Sequence, residues 1–309
     1  MDKLYVDTVR LMLEVAPEVF AYGRFALKGG TAINLFVQDM PRLSVDLDIV
    51  FVPHRLSREA ALAEIASELA QIQSRLQHRG IKAEIASSKT GDETKILARR
   101  DRTEVKVEIN YVFRGTLLPV ELRPLSKAAS DLFTTALTVP TLAVAELYGS
   151  KLVAALDRQH PRDLFDVHGM FERFGLRPEF VECFVGYIAG HNRPVHEVLG
   201  SRDLALERPF ENEFAGMERN PVALGTLEDA RRRLRRELAS ALTDDHRRFL
   251  LGLVAGNPPW EAMRCPHLAE LPAIQWKLQN LARLKKTNAA KFQAQTDALK
   301  RVFDAIASS

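Results

Sequence analysis

Asp46 and Asp48 are the residues of this sequence whose types and spacing most directly suggest chemistry. They stand in RLSVDLDIVF, where Ser44, Asp46 and Asp48 alternate with Val45, Leu47 and Ile49. Period-two alternation sends the three polar side chains from one face of a strand. Positions two apart are separated by roughly 6–7 Å along the backbone, so both carboxylates can converge on one divalent cation. Two like charges on one strand face repel unless a cation relieves them; the alternative is a solvated acidic face, although Asp is depleted in strands. An all-oxygen site that also takes substrate phosphates suits Mg²⁺ or Mn²⁺.

Three further groups could complete such a site. Upstream, KGGT places Gly29 and Gly30 in a turn whose backbone N–H groups could approach a phosphate closely, with Thr31 as a helix cap and hydroxyl donor. Downstream, Glu108 alternates with Val107 and Ile109 much as the aspartates do. It reads either as a third carboxylate on a neighbouring strand or as an exposed strand glutamate. Further on, KLVAALDRQHPRDLFDV gathers Lys151, Arg158, Arg162, Asp163 and Asp166 in an otherwise apolar pair of helices. Asp163 and Asp166 are three apart and share a helix face. Acids near a helix N-terminus also complement its dipole, which is the plainer reading of Asp163. A lysine here could meet a triphosphate, and an arginine–aspartate pair could lock the arrangement.

Hydrophobic periodicity supplies the elements that must position these groups. Val9, Met12, Leu13 and Ala16 predict a helix before Pro17, and Phe25–Leu27 a short buried strand leading into the glycine pair. Ala32–Val37 reads as a helical run after the glycines. Ser57 is expected to cap a helix reaching about Gln77, which Gly80 stops. Residues 81–86, 94–98 and 103–111 read as antiparallel strands joined by turns at Gly91–Asp92 and Arg100–Arg102. Thr141 is expected to cap a helix carrying Leu142, Ala145, Leu152 and Ala155, and a second helix begins after Pro161. From Pro178 onward the pattern is helical. The fold class expected is α+β, with a mixed-sheet domain over residues 1–137 and a helical domain over 138–309.

Bulk composition narrows the class. The 309 residues are 46% hydrophobic and 27% charged, enough for a sizeable core. A net charge of +3 gives no global basic field. Arginines at 231–233, 235 and 236, and a Lys/Arg-rich stretch from Lys277 to Arg301, are ordinary solvated faces on the plainer reading and an RNA or polyphosphate surface on the other. Cys183 and Cys265 make neither a disulfide framework nor a zinc site and are expected to be buried thiols. His160, His168 and His267 lack metal-ligand spacing. The N-terminus has no signal-peptide pattern, and no apolar run reaches the length of about 18 residues that crosses a membrane, so a cytoplasmic location is expected.

KGGTAINLF, then RLSVDLDI, then KLVAALDRQHPRDLFDV resemble in order and spacing the AbiEii/AbiGii-type nucleotidyltransferases, toxin halves of bacterial toxin–antitoxin systems to which MenT toxins are similar. The matching positions are Gly29, Gly30, Thr31, Arg42, Ser44, Asp46, Asp48, Lys151, Arg158, Arg162, Asp163 and Asp166. The resemblance implies a DNA-polymerase-β-like nucleotidyltransferase domain followed by a helical domain. It implies nucleotide transfer from an NTP, with the tRNA 3′ end as acceptor in some members, and a cognate antitoxin as partner. On that basis Asp46, Asp48, Lys151 and Asp163 are expected to be catalytic. Lys28, Gly29, Gly30, Thr31, Arg42, Ser44, Arg158, Arg162 and Asp166 would hold the nucleotide, and Asp46, Asp48 and Glu108 the metal. A protein side chain or a small molecule such as an aminoglycoside is the alternative acceptor, and a non-catalytic scaffold binding through its helical half is the third reading. Phosphate on Ser44 would add about −1.5 to −2 charge beside the aspartates and silence such an enzyme; otherwise its hydroxyl serves the backbone or the nucleotide.

Overall fold

Phe25, Ala26 and Leu27 are at most 1% exposed and form β1 (Phe25–Lys28), an interior strand covered on both faces. A strand buried in this way carries a continuous apolar run rather than alternation. In the computed structural model, which describes residues 3–87 and 93–307, β1 pairs antiparallel with β2 (Asp46–Phe51) and parallel with β7 (Thr138–Thr141). β2 runs parallel to β5 (Thr103–Asn110), which leads through β4 (Glu93–Arg100) to β3 (Lys82–Ser87). With β6 (Glu121–Pro124) beside β7, the sheet order is β3-β4-β5-β2-β1-β7-β6. The turn expected at Gly91–Asp92 lies outside the described residues.

Helices α1 (Lys3–Phe20) and α3 (Arg58–His78) belong to the same unit. α1 continues through Pro17 instead of stopping before it. Val15, Val19 and Phe20 are buried, and their burial offsets the hydrogen bond that Pro17 cannot donate. α3 is capped as expected: Ser57 Oγ accepts from the Ala60 amide at 3.1 Å.

Elements that alternation did not reveal are β6, β7 and α4 (Lys127–Phe133). Each strand has four residues, and Pro124 and Pro140 sit within them, so neither presents a readable period. Thr141 therefore closes a strand rather than capping a helix, and α5 (Val144–Asp157) begins three residues later. The sheet-bearing unit comprises Met1–Leu147 and takes back Phe214–Val222, so it extends past residue 137. Backbone bonds join the returning segment to the strand's approach: Leu43 donates to Met217 at 2.8 Å, Arg219 donates to Pro41 at 2.7 Å, and Arg42 bridges Glu218. Pattern reading has no access to pairing of that kind.

The second unit, Tyr148–Glu213 and Ala223–Ser309, is helical throughout its described residues. After α5 come α6 (Pro161–Phe174), α7 (Pro178–Ala189), α8 (Val195–Leu199) and α9 (Glu207–Glu213). The remainder are α10 (Leu224–Ala241), α11 (Asp244–Val254), α12 (Pro272–Thr287) and α13 (Ala289–Ala307). Tyr148 is fully buried, its ring 5.2 Å from Phe180 and 5.6 Å from Phe174 between centroids. Gly149 lets α5 and α7 touch, because a Cβ there would stand 2.5 Å from Cys183 Cβ. No helix among the described residues is long and apolar enough to cross a membrane.

Candidate active site

Gly29 turns the chain out of β1 with φ +72°, a conformation that disfavours a side chain. A Cβ at Gly29 would stand 2.3 Å from Asp48 Oδ2, so the missing side chain is what seats the Asp48 carboxylate against the turn. Gly30 does the same for a second pair: its Cβ would meet Arg42 Nη2 at 2.7 Å and Ser44 Oγ at 3.1 Å. The chain then continues as α2 (Gly29–Ala32) and a π-helical turn over Ile33–Val37, all five of whose residues are buried. Asn34 Nδ2 donates to the Gly30 carbonyl at 2.9 Å and fixes the turn.

Thr31 lies inside α2, not before it, so it does not cap the helix. It is 1% exposed; its hydroxyl stands 2.9 Å from Ser44 Oγ and donates to the Asp46 carbonyl. That hydroxyl binds the strand to the turn. Ser44 precedes β2, outside the ladder, and its hydroxyl takes part in this internal bonding. Arg42 is 2% exposed and donates from Nη1 to the Leu43 carbonyl at 2.9 Å, which makes it a buried strut beneath Gly30.

Asp46 and Asp48 start β2, half-buried, with Leu47 and Ile49 buried between and beyond them. Their neighbour β5 sets Lys106 opposite Asp46 and Glu108 opposite Asp48. Glu108 nevertheless faces Lys95, Oε1 to Nζ 3.6 Å, in a pair about two-fifths exposed on either side. Among the described residues no three of His, Cys, Asp or Glu gather as a metal cluster.

In the helical unit the expected lysine, arginine and aspartates do meet. Lys151 Nζ lies 2.8 Å from Asp163 Oδ1 and 3.0 Å from Asp166 Oδ2, with all three side chains at most 6% exposed. Arg158 closes on Asp163 with both Nε and Nη2, at 2.6 and 3.0 Å. Burial alone would raise the Asp163 pKa, but Lys151 and Arg158 together hold it well below the usual carboxylate range. The arginine paired with Asp163 is therefore Arg158; Arg162 contributes its amide, which donates to His160 Nδ1 at 3.1 Å and so caps α6.

Gln159, which the sequence did not single out, holds the corner between α5 and α6. It is 1% exposed with φ +50°. Its amide donates to the Arg202 carbonyl and accepts from the Leu204 amide and Arg231 Nη1. A buried glutamine carries no sequence signal, since Gln is ordinarily a surface residue.

The basic helical stretches separate into internal and exposed parts. Arg231 is buried, Arg233 stacks 4.2 Å over the Phe171 ring, and Arg235 pairs with Asp203 at 3.1 Å. Only Arg232 and Arg236 of the α10 arginines are exposed, and Arg232 pairs with Asp229. Lys277 is buried and donates to the His191 and Arg193 carbonyls, whereas Arg283, Lys285, Lys286, Lys291, Lys300 and Arg301 are exposed. Cys183 is buried, and Cys265 is half-buried with Sγ 3.7 Å from His267 Nδ1.

A profile described as "Nucleotidyl transferase AbiEii toxin, Type IV TA system" matches residues 10–280. Among solved structures the chain is similar to MenT4, a nucleotidyltransferase toxin from Mycobacterium tuberculosis H37Rv. The TM-score is 0.59 at 20% identity, covering 90% of this chain and 94% of that one, a likeness of fold. No curated protein sequence matches this chain.

Proposed function

As this chain belongs to the AbiEii family of nucleotidyl transferase toxins, we propose that it transfers a nucleotide from an NTP to the 3′ end of tRNA, with a divalent metal, and so inhibits translation and growth. The observation that carries this reading is the seating of Asp48 in the space Gly29 leaves open, beside Asp46 on the same strand. A glycine turn seated against two carboxylates suits a metal-bound polyphosphate. The family's place in Type IV systems also supports a cognate antitoxin as partner.

Asp46 and Asp48 fit Mg²⁺ or Mn²⁺. Such ions take one or two carboxylates and complete their shell with substrate phosphates and water, so a pair of carboxylates suffices. The bound ion would supply acidification of the attacking hydroxyl and charge stabilisation for the leaving pyrophosphate. Asp46 and Asp48 would hold it, while the amides of Gly29 and Gly30 orient the terminal phosphates and Lys28 adds charge at the turn. Arg42, Ser44 and Thr31 act one step back, fixing the turn and the strand in register.

In the helical unit we assign Lys151 a positioning role, because its ammonium is committed to Asp163 and Asp166. Arg158 is the better group for triphosphate charge: its side chain is 66% exposed while Asp163 holds the guanidinium plane. Incubating the purified chain and Mg²⁺ with each labelled NTP in turn, against separate RNA, protein and aminoglycoside fractions, tests the acceptor. Label in tRNA is expected; label confined to the protein or drug fraction would move the reading to that acceptor.

A further inference from the structure

Between α12, α13 and the loop of residues 190–194 lies a cavity of about 120 Å³, wholly within the helical unit. Trp276 stands in its wall and is 46% exposed. The chain's other tryptophan, Trp260, instead packs its ring 5.9 Å from that of Phe249 between centroids. Three amide side chains line the same cavity: Asn192 from the loop, Asn280 from α12 and Gln295 from α13. The wall is braced from within. Lys277 is 8% exposed and donates from Nζ to the His191 and Arg193 carbonyls, at 2.7 and 2.8 Å, which pins the loop to α12.

Cations flank this cavity. Trp276, Asn280 and Arg283 stand at i, i+4 and i+7 and so share one face of α12, and Lys291 lies one turn before Gln295 on α13. Arg283 and Lys291 are both exposed. Asp157 and Glu197 approach the loop, but both pair with Arg193. Residues 277–301 hold seven Lys or Arg against Asp297 alone. An indole left half in water offers a flat apolar face whose burial is favourable. Bases of a single strand stack on such a face, amide side chains bond to their edges, and neighbouring Lys and Arg take the phosphates. An acidic protein segment would satisfy the cations but leave the indole and the three amides unused. We propose that this cavity takes an unstacked nucleobase of a single-stranded nucleic acid, with Arg283 and Lys291 on the flanking phosphates. The site goes beyond the reaction proposed above, and binding at it requires neither an NTP nor a metal.

Trp260→Phe leaves Trp276 as the sole indole of the full chain, so its emission reports this site. That chain is titrated, without NTP or Mg²⁺, with a short RNA strand, a DNA strand of the same sequence, the matching duplex and polyglutamate. The single strands are expected to quench Trp276 saturably, and the duplex and polyglutamate to leave it unchanged. Quenching by RNA at lower concentration than by DNA assigns the strand to RNA through its 2′-hydroxyl; otherwise the site takes single strands of either sugar. In anisotropy titrations of a labelled strand with Trp260 in place, Trp276→Ala is expected to weaken binding by about tenfold or more. Arg283→Gln and Lys291→Gln are each expected to reduce the slope of log Kd against log salt by about 0.7, the share of one phosphate contact. All three residues are exposed, so these variants are expected to melt with the wild type. Binding that leaves Trp276 emission unchanged, wild-type affinity in Trp276→Ala, or unchanged salt slopes in both charge variants overturns the proposal. So does equal affinity for duplex, the absence of binding, or equal quenching by polyglutamate, which would make an acidic protein the partner. Failure of nucleotide transfer bears on the reaction alone, since none of these readouts uses it.

Discussion

Lys151 Nζ stands 2.8 Å from Asp163 Oδ1, and this buried contact ties α6 back onto α5. Asp166 on the next turn and Arg158 at the surface complete a group of two cations and two anions. Removing one member strands the rest, and for a buried pair the loss is about 3–5 kcal/mol. Lys151→Met is expected to lose about that much stability by urea denaturation, because Asp163 and Asp166 then lack their shared cation. Lys151→Met combined with Asp163→Asn is expected to lose clearly less than the two single losses added. Strict additivity would show that the contact carries no coupling.

Gly29 makes a prediction of a different kind. Gly29→Ala introduces a Cβ that overlaps Asp48 Oδ2 and a side chain at φ +72°. The backbone term is about 1–2 kcal/mol, small enough for the chain to stay folded. Displacing the carboxylate is expected to lower nucleotide transfer by about 10²-fold, the scale on which a misplaced electrostatic group acts. Circular dichroism and initial rates on the same preparation would check both halves. A folded variant with wild-type rates would remove Asp48 from the proposed site.

Lys277 predicts a pH dependence. It is buried between the His191 and Arg193 carbonyls, and desolvation lowers its pKa from the ordinary 10.5 to about 8. In the window from pH 8 to 10.5 the unfolded chain therefore binds more protons than the folded one, and stability rises with pH. The full gain corresponds to about 3 kcal/mol. Lys277→Met is expected to lack this rise when denaturant midpoints are compared from pH 7.5 to 10.5, a window taken from the same shift. Parallel pH profiles for the two chains would contradict it.

What the sequence shows and what it hides follow from the range of the interactions involved. β1, β2 and β5 are readable because local burial writes itself as apolar runs and alternation, and the Ser57 cap because its signature spans three residues. β6 and β7 are four residues long and interrupted by proline, so their place in the sheet rests on pairing and not on period. The return of residues 214–222 to the first unit depends on backbone bonds to Pro41 and Leu43, to which side-chain pattern is blind. The charged residues of α5 and α6 stand out by type, but their pairing does not: Arg158 and Arg162 are equivalent in a string of letters. The αL corner at Gln159 decides that Arg158 reaches Asp163. Gly30 and Arg42 show the same limit, since a close approach between residues twelve apart leaves no local trace.

The proposed reaction is tested most directly by Asp46→Ala, assayed for transfer of labelled nucleotide to tRNA in the presence of Mg²⁺ and for growth inhibition at matched expression. Loss of a group that would hold the metal is expected to reduce transfer by at least about 10²–10³-fold and to relieve growth inhibition, while the variant melts close to the wild type. Full transfer and undiminished growth inhibition by folded Asp46→Ala would contradict the assignment of this strand as the reaction centre.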